Sequence, residues 1–278
     1  MNAIIKPLVS INIPTYNSEK TLVKCLDSVK NQTYKNVEII VMDSYSRDNT
    51  LKISESYGAK IVLAPTLASA RKAGSDASRG DYILMLDSDQ ILEPDVIERC
   101  VRACEEEGFD GATLFEKSLI TTNTFVERVI AYDKEIFHSL QDDDPVKGTA
   151  IPRFFKASYF KRIDFENNPP ITFEHTIIHK KIVDMGAKIK FIDAYIWHHE
   201  TTTIREVARK FFRYGYYYIP VYRQDKKLAV YHSMPRRTYF HYKAFKNPVL
   251  FIGLFYVYFV KAISAASGAV LFLLKNKK

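Results

Sequence analysis

Two hydrophobic periods trade places along the first hundred residues. Leu8–Ile13 is apolar enough for a strand, and from Ser18, a residue type suited to an N-cap, Leu22, Leu26 and Val29 recur on one helical face to about Gln32. Val37–Met42 forms a second apolar run ending at Asp43. Asp48 is placed to cap a helix carrying Leu51, Ile53 and Tyr57, which Gly58 closes. Lys60–Leu63 follows as a third strand, and Leu67–Ala77 has the small residues of a helix packed closely on a sheet. Tyr82–Leu86 is unbroken, as expected of a strand buried on both faces. Pro94 then opens a helix to about Glu107, ahead of Gly108. Strands alternating with helices of this length predict right-handed βαβ units and a parallel sheet.

From about Phe109 the pattern shortens. A helix is predicted near Phe125–Phe137, and Asp142-Asp143-Asp144 reads as solvated coil. A further helix is expected over Ile171–Met185 with Gly186 as its cap, and a strand over Lys188–Ile192 that leads to Trp197-His198-His199-Glu200. Near the end, Pro248–Leu274 is apolar apart from Lys261 and a few Ser and Gly, and exceeds the ~20 residues that span a bilayer. A lysine near its middle argues against a lone span. Two short helices in the membrane interface, with Lys261 at the surface, are the alternative, and a packed soluble helix is the third. The expected division is therefore 1–215 for a catalytic part and 216–278 for a membrane-associating segment.

Charge sharpens that division. Residues 201–278 hold 15 Lys+Arg against two acids, whereas residues 1–200 hold 25 against 30. The same C-terminal stretch carries 18 of the 36 Phe and Tyr residues. A basic, aromatic tail suits nucleic acid or an anionic membrane. No nucleic-acid motif is present and the apolar run favours lipid, so no nucleic-acid partner is expected. The three cysteines, Cys25, Cys100 and Cys104, have no zinc spacing and point to a reducing compartment. Met1–Pro7 shows neither the apolar core nor the cleavage site of a signal peptide.

Ligands of parallel sheets bind beyond the carboxyl ends of strands. Three such ends carry polar clusters: Pro14-Thr15-Tyr16-Asn17, Asp43-Ser44-Tyr45-Ser46 and Asp87-Ser88-Asp89. Like charges as close as Asp87 and Asp89 repel, and a hard cation such as Mg²⁺ or Mn²⁺ relieves that cost while binding phosphate oxygens.

With Asp48-Asn49-Thr50 and Ala70-Arg71 added, this ordered set resembles the family 2 glycosyltransferases over roughly residues 7–215. The resemblance implies the GT-A fold, an α/β Rossmann-like, mostly parallel sheet flanked by helices. It implies transfer of a sugar from a UDP- or GDP-linked donor, the base being left open because Ser44 stands where the family usually has a second acid. Pro14, Thr15, Tyr16, Asn17 and Asp43 would hold the nucleoside, with Arg71 nearby. Asp87 and Asp89 match the metal motif, so Mn²⁺ or Mg²⁺ is the implied cofactor. Asp89 would ligate the metal and Asp87 would lie by the ribose or the metal. His198 or His199 matches a later metal-completing histidine, with His199 preferred. Arg205, Arg209 and Arg213 share one helix face, and Arg209 and Arg213 would contact the diphosphate.

The base has no firm match. Inverting members usually carry a Glu-Asp pair at a helix start, and here the pair is Glu174-His175. Either residue can serve as base, or the acceptor is a phosphate that needs little proton removal. The latter fits a polyprenyl phosphate or another lipid-linked acceptor, used by a membrane-associated enzyme on the cytoplasmic face. A sugar-phosphate nucleotidyltransferase is the alternative enzyme reading, although Pro14–Asn17 lacks the Gly-rich loop it needs. A non-catalytic basic nucleic-acid or membrane binder is the alternative outside enzymes.

Overall fold

The computed structural model describes residues 6–139, 151–165, 174–233 and 240–276. The acidic loop at 142–144, Thr172-Phe173, the Arg236-Arg237 pair and the last two lysines lie outside the described residues.

One eight-stranded sheet organises the chain. Its strands are β1 (Val9–Thr15), β2 (Val37–Asp43), β3 (Lys60–Leu63), β4 (Tyr82–Met85), β5 (Gln90–Leu92), β6 (Gly111–Leu119), β7 (Ile151–Lys156) and β8 (Ile189–His199). They lie in the order β3-β2-β1-β4-β7-β6-β8-β5. The β1–β4 group is parallel, β7 runs antiparallel to both β4 and β6, β8 is parallel to β6, and β5 is antiparallel to β8. The sheet is thus mixed but mostly parallel. Flanking helices are α1 (Glu19–Lys30), α2 (Thr50–Ser56), α3 (Leu67–Ala77), α4 (Val96–Glu105), α5 (Phe125–His138), α6 (Ala157–Phe160), α7 (Glu174–Asp184), α8 (Ile204–Tyr216), α9 (Tyr218–Gln224), α10 (Lys226–Ser233) and α11 (Pro248–Lys275).

The side-chain period of two divides the sheet between two cores. Val9, Ile11 and Ile13 join Leu84, Leu114 and Ile196 against the buried faces of α1 and α4. Ile83 and Met85 point the other way and pack with Phe155 of β7 and with Ile178 and Ile182 of α7. A third core joins α5, α8 and α11 through Val129, Val207, Leu254 and Val257.

Two expectations change. The strand expected to end at Ile192 continues to His199. Ile192, Ala194 and Ile196 alternate inward, and an irregularity opposite Thr113–Phe115 of β6 accommodates the polar Asp193 that masks the pattern. The tail, in turn, is not two short helices with Lys261 at the surface. Asn247 caps a single 28-residue helix by accepting from the Leu250 amide at 3.1 Å, and no proline follows Pro248 to break it. Lys261 is largely covered, 3.8 Å from Asp133 of α5 and stacked over the Phe211 ring of α8. A Cβ on Gly215 would collide with the Ala265 backbone, and one on Gly268 with the Phe212 backbone. Glycine at both positions lets α8 and α11 touch backbone to backbone.

Candidate functional site

The three polar strand ends meet at one edge of the sheet. Asp43, at the end of β2, is fully buried and closes the first two loops. Its carboxylate accepts from the Thr15 hydroxyl (2.7 Å), the Ser46 hydroxyl (2.6 Å) and the Ser46 amide (2.7 Å). Asn17 completes the clamp: its amide donates to Ser46 Oγ, and its side-chain oxygen accepts from the Arg47 amide. Asn17 and Tyr45 both hold left-handed backbone, at φ 49° and 59°. A tyrosine seldom adopts that region, and such strain gathers at functional sites. The two loops leave Tyr16 67% and Tyr45 58% exposed, a pair of aromatic faces beside the buried Asp43. Ser18, which caps α1 by position, instead hydrogen-bonds Ser88 at 2.9 Å and ties the first loop to the Asp87–Asp89 turn.

Around that turn, acids and bases alternate in a continuous chain. Glu174 Oε1, at the start of α7, accepts from Arg71 Nε of α3 at 2.6 Å, and Arg71 Nη2 donates to Asp87 Oδ1 at 3.3 Å. Asp87 Oδ2 accepts from Arg153 Nη1 of β7 at 3.0 Å, and Arg153 Nη2 donates to Glu116 of β6 at 3.0 Å. Lys134 of α5 bridges Glu116 (3.0 Å) and Glu200 (2.5 Å). Glu200 lies 3.4 Å from His198 Nδ1, and His198 Nε2 lies 3.6 Å from Asp89. Gln90 braces the centre, accepting from the Asp87 amide at 2.9 Å and donating to Glu116 at 2.7 Å. His175 Nε2 lies beside the same centre, 3.5 Å from Asp87 and 3.9 Å from Glu174.

Each titration follows from this wiring. Burial alone would raise the Asp87 pKa, but Arg153, His175 and Arg71 outweigh it and hold the group well below the usual carboxylate range. Asp89 goes the other way: burial and the Asp87 charge raise it, against weaker pulls from His198 and Lys210. Burial would lower the His198 pKa, but Glu200, Glu116 and Asp89 together raise it. His199 is lowered, by burial first and then by Lys24.

Five carboxylates thus face three permanent cations and two imidazoles. The surplus is acidic and centred on Asp89, the one of these five carboxylates that no Arg or Lys grips. Carboxylate and imidazole oxygen and nitrogen donors suit Mn²⁺ or Mg²⁺, with phosphate and water completing the shell. Asp89 and His198 therefore fit a cation. Asp87 is committed to Arg71, Arg153 and His175 instead. Among the described residues no three His, Cys, Asp or Glu side chains form a metal-holding group by themselves. Of the two candidate histidines, the His198 imidazole faces Asp89, whereas His199 meets it through its backbone amide, which donates to the Asp89 carbonyl at 3.0 Å. Strand alternation explains this: adjacent β8 side chains point to opposite faces.

Among the described residues the buried side-chain nitrogens without a partner include Nη1 of Arg71 and Nε of Arg153. An unsatisfied buried N–H is costly, and here each sits beside the acidic turn where an anion would satisfy it. Arg205, Arg209 and Arg213 are solvent-exposed on α8, and Lys210 is the residue of that helix whose charge acts on Asp89.

Arg153, Glu116, Lys134, Glu200 and Gln90 were not singled out by sequence. A signal existed: Arg153 and Glu116 each interrupt an apolar strand, beside Phe154-Phe155 and Leu114-Phe115. A charge there must find a buried partner. Beyond Glu116 and Lys134 a cavity of about 870 Å³ opens between α5 and strands β6 and β8, with Phe115, Tyr195, Trp197 and Lys117 on its walls.

Comparison with known proteins converges on one group. The family described as glycosyl transferase family 2 matches residues 10–176. A chondroitin synthase of Pasteurella multocida is 42% identical over 103 residues, 34% of this chain and 11% of that protein. The chain thus matches about a tenth of the length of that relative. An uncharacterised glycosyltransferase of Rickettsia conorii is 25% identical over 249 residues, 88% of this chain and 81% of that one. Among solved structures, the Pyrobaculum calidifontis mannosyltransferase in complex with GDP-Man and Mn²⁺ aligns with TM-score 0.60 at 14% identity, covering 98% of this chain and 89% of that one. Staphylococcus aureus TarS 1–349 in complex with UDP-GlcNAc aligns with TM-score 0.54 at 14% identity, covering 97% and 91%. At such identities the structural matches speak to the shared fold.

Proposed function

Since this chain belongs to glycosyl transferase family 2 and is a glycosyltransferase, we propose that it moves a sugar, with inversion and with the help of a divalent cation, from a UDP- or GDP-sugar to a lipid-linked or membrane-proximal acceptor. The observation that carries this reading is the pair of unpaired arginine N–H groups, Arg71 Nη1 and Arg153 Nε, on the two guanidiniums that grip Asp87 in the acidic turn. A nucleoside diphosphate with its metal supplies both missing partners.

In this reading the base lies against Tyr16 and Tyr45, whose exposed rings flank the Asp43 loop, with Pro14, Thr15 and Asn17 shaping that loop. Asp89 and His198 would hold Mn²⁺ or Mg²⁺, which would supply Lewis-acid stabilisation of a diphosphate. Arg71 and Arg153, fixed by Asp87, Glu174 and Glu116, stabilise the charge that grows on the departing phosphate. Arg209 and Arg213 extend the same positive field from α8.

Glu174 is buried and occupied by Arg71, so its role is to aim that guanidinium. His175 is the more accessible of the pair, and Asp87 sits against its Nε2. That arrangement orients the ring for a proton transfer. The acceptor oxygen attacks the anomeric carbon, its proton passes to His175, and the bond to the diphosphate oxygen breaks. The acceptor approaches from the cavity by Trp197 and Tyr195, whose rings suit the apolar face of a sugar. An ionised phosphate acceptor would make the proton step dispensable.

The enzyme would work at the cytoplasmic face of a membrane. The apolar α11 supports membrane contact, and three free, buried cysteines suit a reducing compartment. The experiment is a donor panel with Mn²⁺ or Mg²⁺, reading nucleoside diphosphate release with and without polyprenyl phosphate. His175→Ala should slow transfer to a hydroxyl acceptor about 100-fold or more, while transfer to a phosphate acceptor is spared. Undiminished transfer to a hydroxyl would remove His175 from the base role.

A further inference from the structure

Helix α11 is long and apolar enough to cross a bilayer by length and composition. Its two sides are very different. Ile252, Tyr256, Phe259, Ile263, Val270 and Leu274 are all exposed, Ile252 by 70%. At about 100° per residue these positions fall in one narrow stripe down the helix. Gly253, Leu254, Val257, Lys261 and Gly268 lie on the opposite side, against α5 and α8.

That second side fixes the orientation of the first. Phe211, Phe212 and Gly215 of α8 meet Lys261, Gly268 and Ala265 of α11, so the two helices lie along each other. Arg205, Arg209 and Arg213 project from α8 into solvent. Were α11 to cross a bilayer while docked, α8 and its three arginines would enter hydrocarbon, which is prohibitive without partners.

We propose that α11 lies flat in the plane of an anionic bilayer, its stripe sunk into the headgroup–acyl boundary and the catalytic body above. The inference rests on the membrane-proximal reading given above. Charge identifies the occupant. Lys246 stands just before the stripe and Lys275 just after it, both exposed, and residues 201–278 carry 15 basic residues against two acids. Two copies paired through the stripe would oppose lysine to lysine in either direction, whereas anionic headgroups complement both ends. Exposed Phe240, Tyr242 and Phe245 cluster beside the first lysines, where aromatic rings favour headgroup depth. The posture also reaches the site. Lys261 pairs with Asp133, and the next residue of α5, Lys134, joins Glu116 to Glu200. Membrane and catalytic turn are therefore read by one helix.

The test uses the full chain, with phosphatidylcholine vesicles that contain or lack phosphatidylglycerol. The chain should float with the anionic vesicles and much less with the neutral ones. The double variant Ile252→Asp/Phe259→Asp, altered only at exposed positions, should bind at least about tenfold more weakly while releasing nucleoside diphosphate from donor in solution at the original rate. A fluorophore on cysteines introduced at Ile252, Ile263 and Leu274 should be quenched to one shallow depth by lipid-borne quenchers. A profile deepest at Ile263 would mean a crossing helix and overturn the proposal. So would a wild-type chain that stays off anionic vesicles, including one that is instead a dimer dispersed by the double variant. If that chain still turns over donor, the docking fails and the transferase reading stands.

Discussion

Arg153 shows what single residues must do in this site. It is buried, and it satisfies Asp87 and Glu116 at once. Arg153→Ala would strand two carboxylates, and removing one partner of a buried pair costs about 3 kcal/mol or more. Chemical denaturation should show that loss, and donor turnover should fall about 100-fold as Asp87 loses its anchor. Arg153→Lys should recover much of the stability but little of the rate, because one ammonium nitrogen cannot reproduce the planar spread of Nη1, Nη2 and Nε that reaches Asp87 and Glu116 at once. Acid sensitivity is also set by particular groups. Burial alone would raise the Glu127 pKa, but hydrogen bonds from the amides and hydroxyls of Thr121 and Thr122 hold it at about 2. Glu200 sits at about 2 because His198 and Lys134 overcome the same burial. Both folded values lie below the unfolded value of about 4.3, so the unfolded chain takes up protons first as pH falls. Their stabilisation is complete above about pH 4.5 and is lost toward pH 2. Urea melts across that range should shift steadily downward, and Glu127→Gln should flatten the shift. The Pro14–Asn17 and Asp43–Ser46 loops and the Asp87–Asp89 turn were legible in the chain because each ends a clear strand. Arg153, Glu116 and Lys134 were not, because their partners are 18 to 66 residues away and no local period records a distant ion pair.

At the scale of elements, the period of the hydrophobic pattern was a good guide wherever one face of an element is buried. Leu67–Ala77 and Lys60–Leu63 fall where the pattern puts them. It was a poor guide for β8, whose inward Ile192, Ala194 and Ile196 are separated by Asp193 and Tyr195 on the wall of an open cavity. It also missed the partnership of α8 and α11, since nothing in a period announces which helix another will touch. Gly215 and Gly268 were the available signs, and each marks a backbone contact. Gly268→Val should therefore lower stability by about 2 kcal/mol and free α11 for proteolysis, as thermal melts and limited digestion would show. An equally bulky change at exposed Ala266 should be silent in both.

Across the whole molecule, one edge of a mostly parallel sheet gathers the Pro14–Asn17 loop, the acidic turn and Arg71 and Arg153, and a layer of α5, α8 and α11 lies beside it. The donor side of the proposed site rests on strand ends. In the proposed reading the acceptor comes from the cavity between α5, β6 and β8 toward His175 of α7. This division explains why the family was readable from sequence while an acceptor was not: strand-end motifs are short and ordered, but a cavity is assembled from side chains far apart in the chain. The central claim is that Asp89 and His198 complete a cation-dependent diphosphate site. The most direct measurement is nucleoside diphosphate release from a UDP- and GDP-sugar panel, with Mn²⁺ or with chelator, by the wild type and by Asp89→Asn. Release by the wild type with Mn²⁺, lost on chelation and reduced about 100-fold in Asp89→Asn, is the expected result. Release that persists undiminished in chelator, or an Asp89→Asn variant as fast as the wild type, would contradict it.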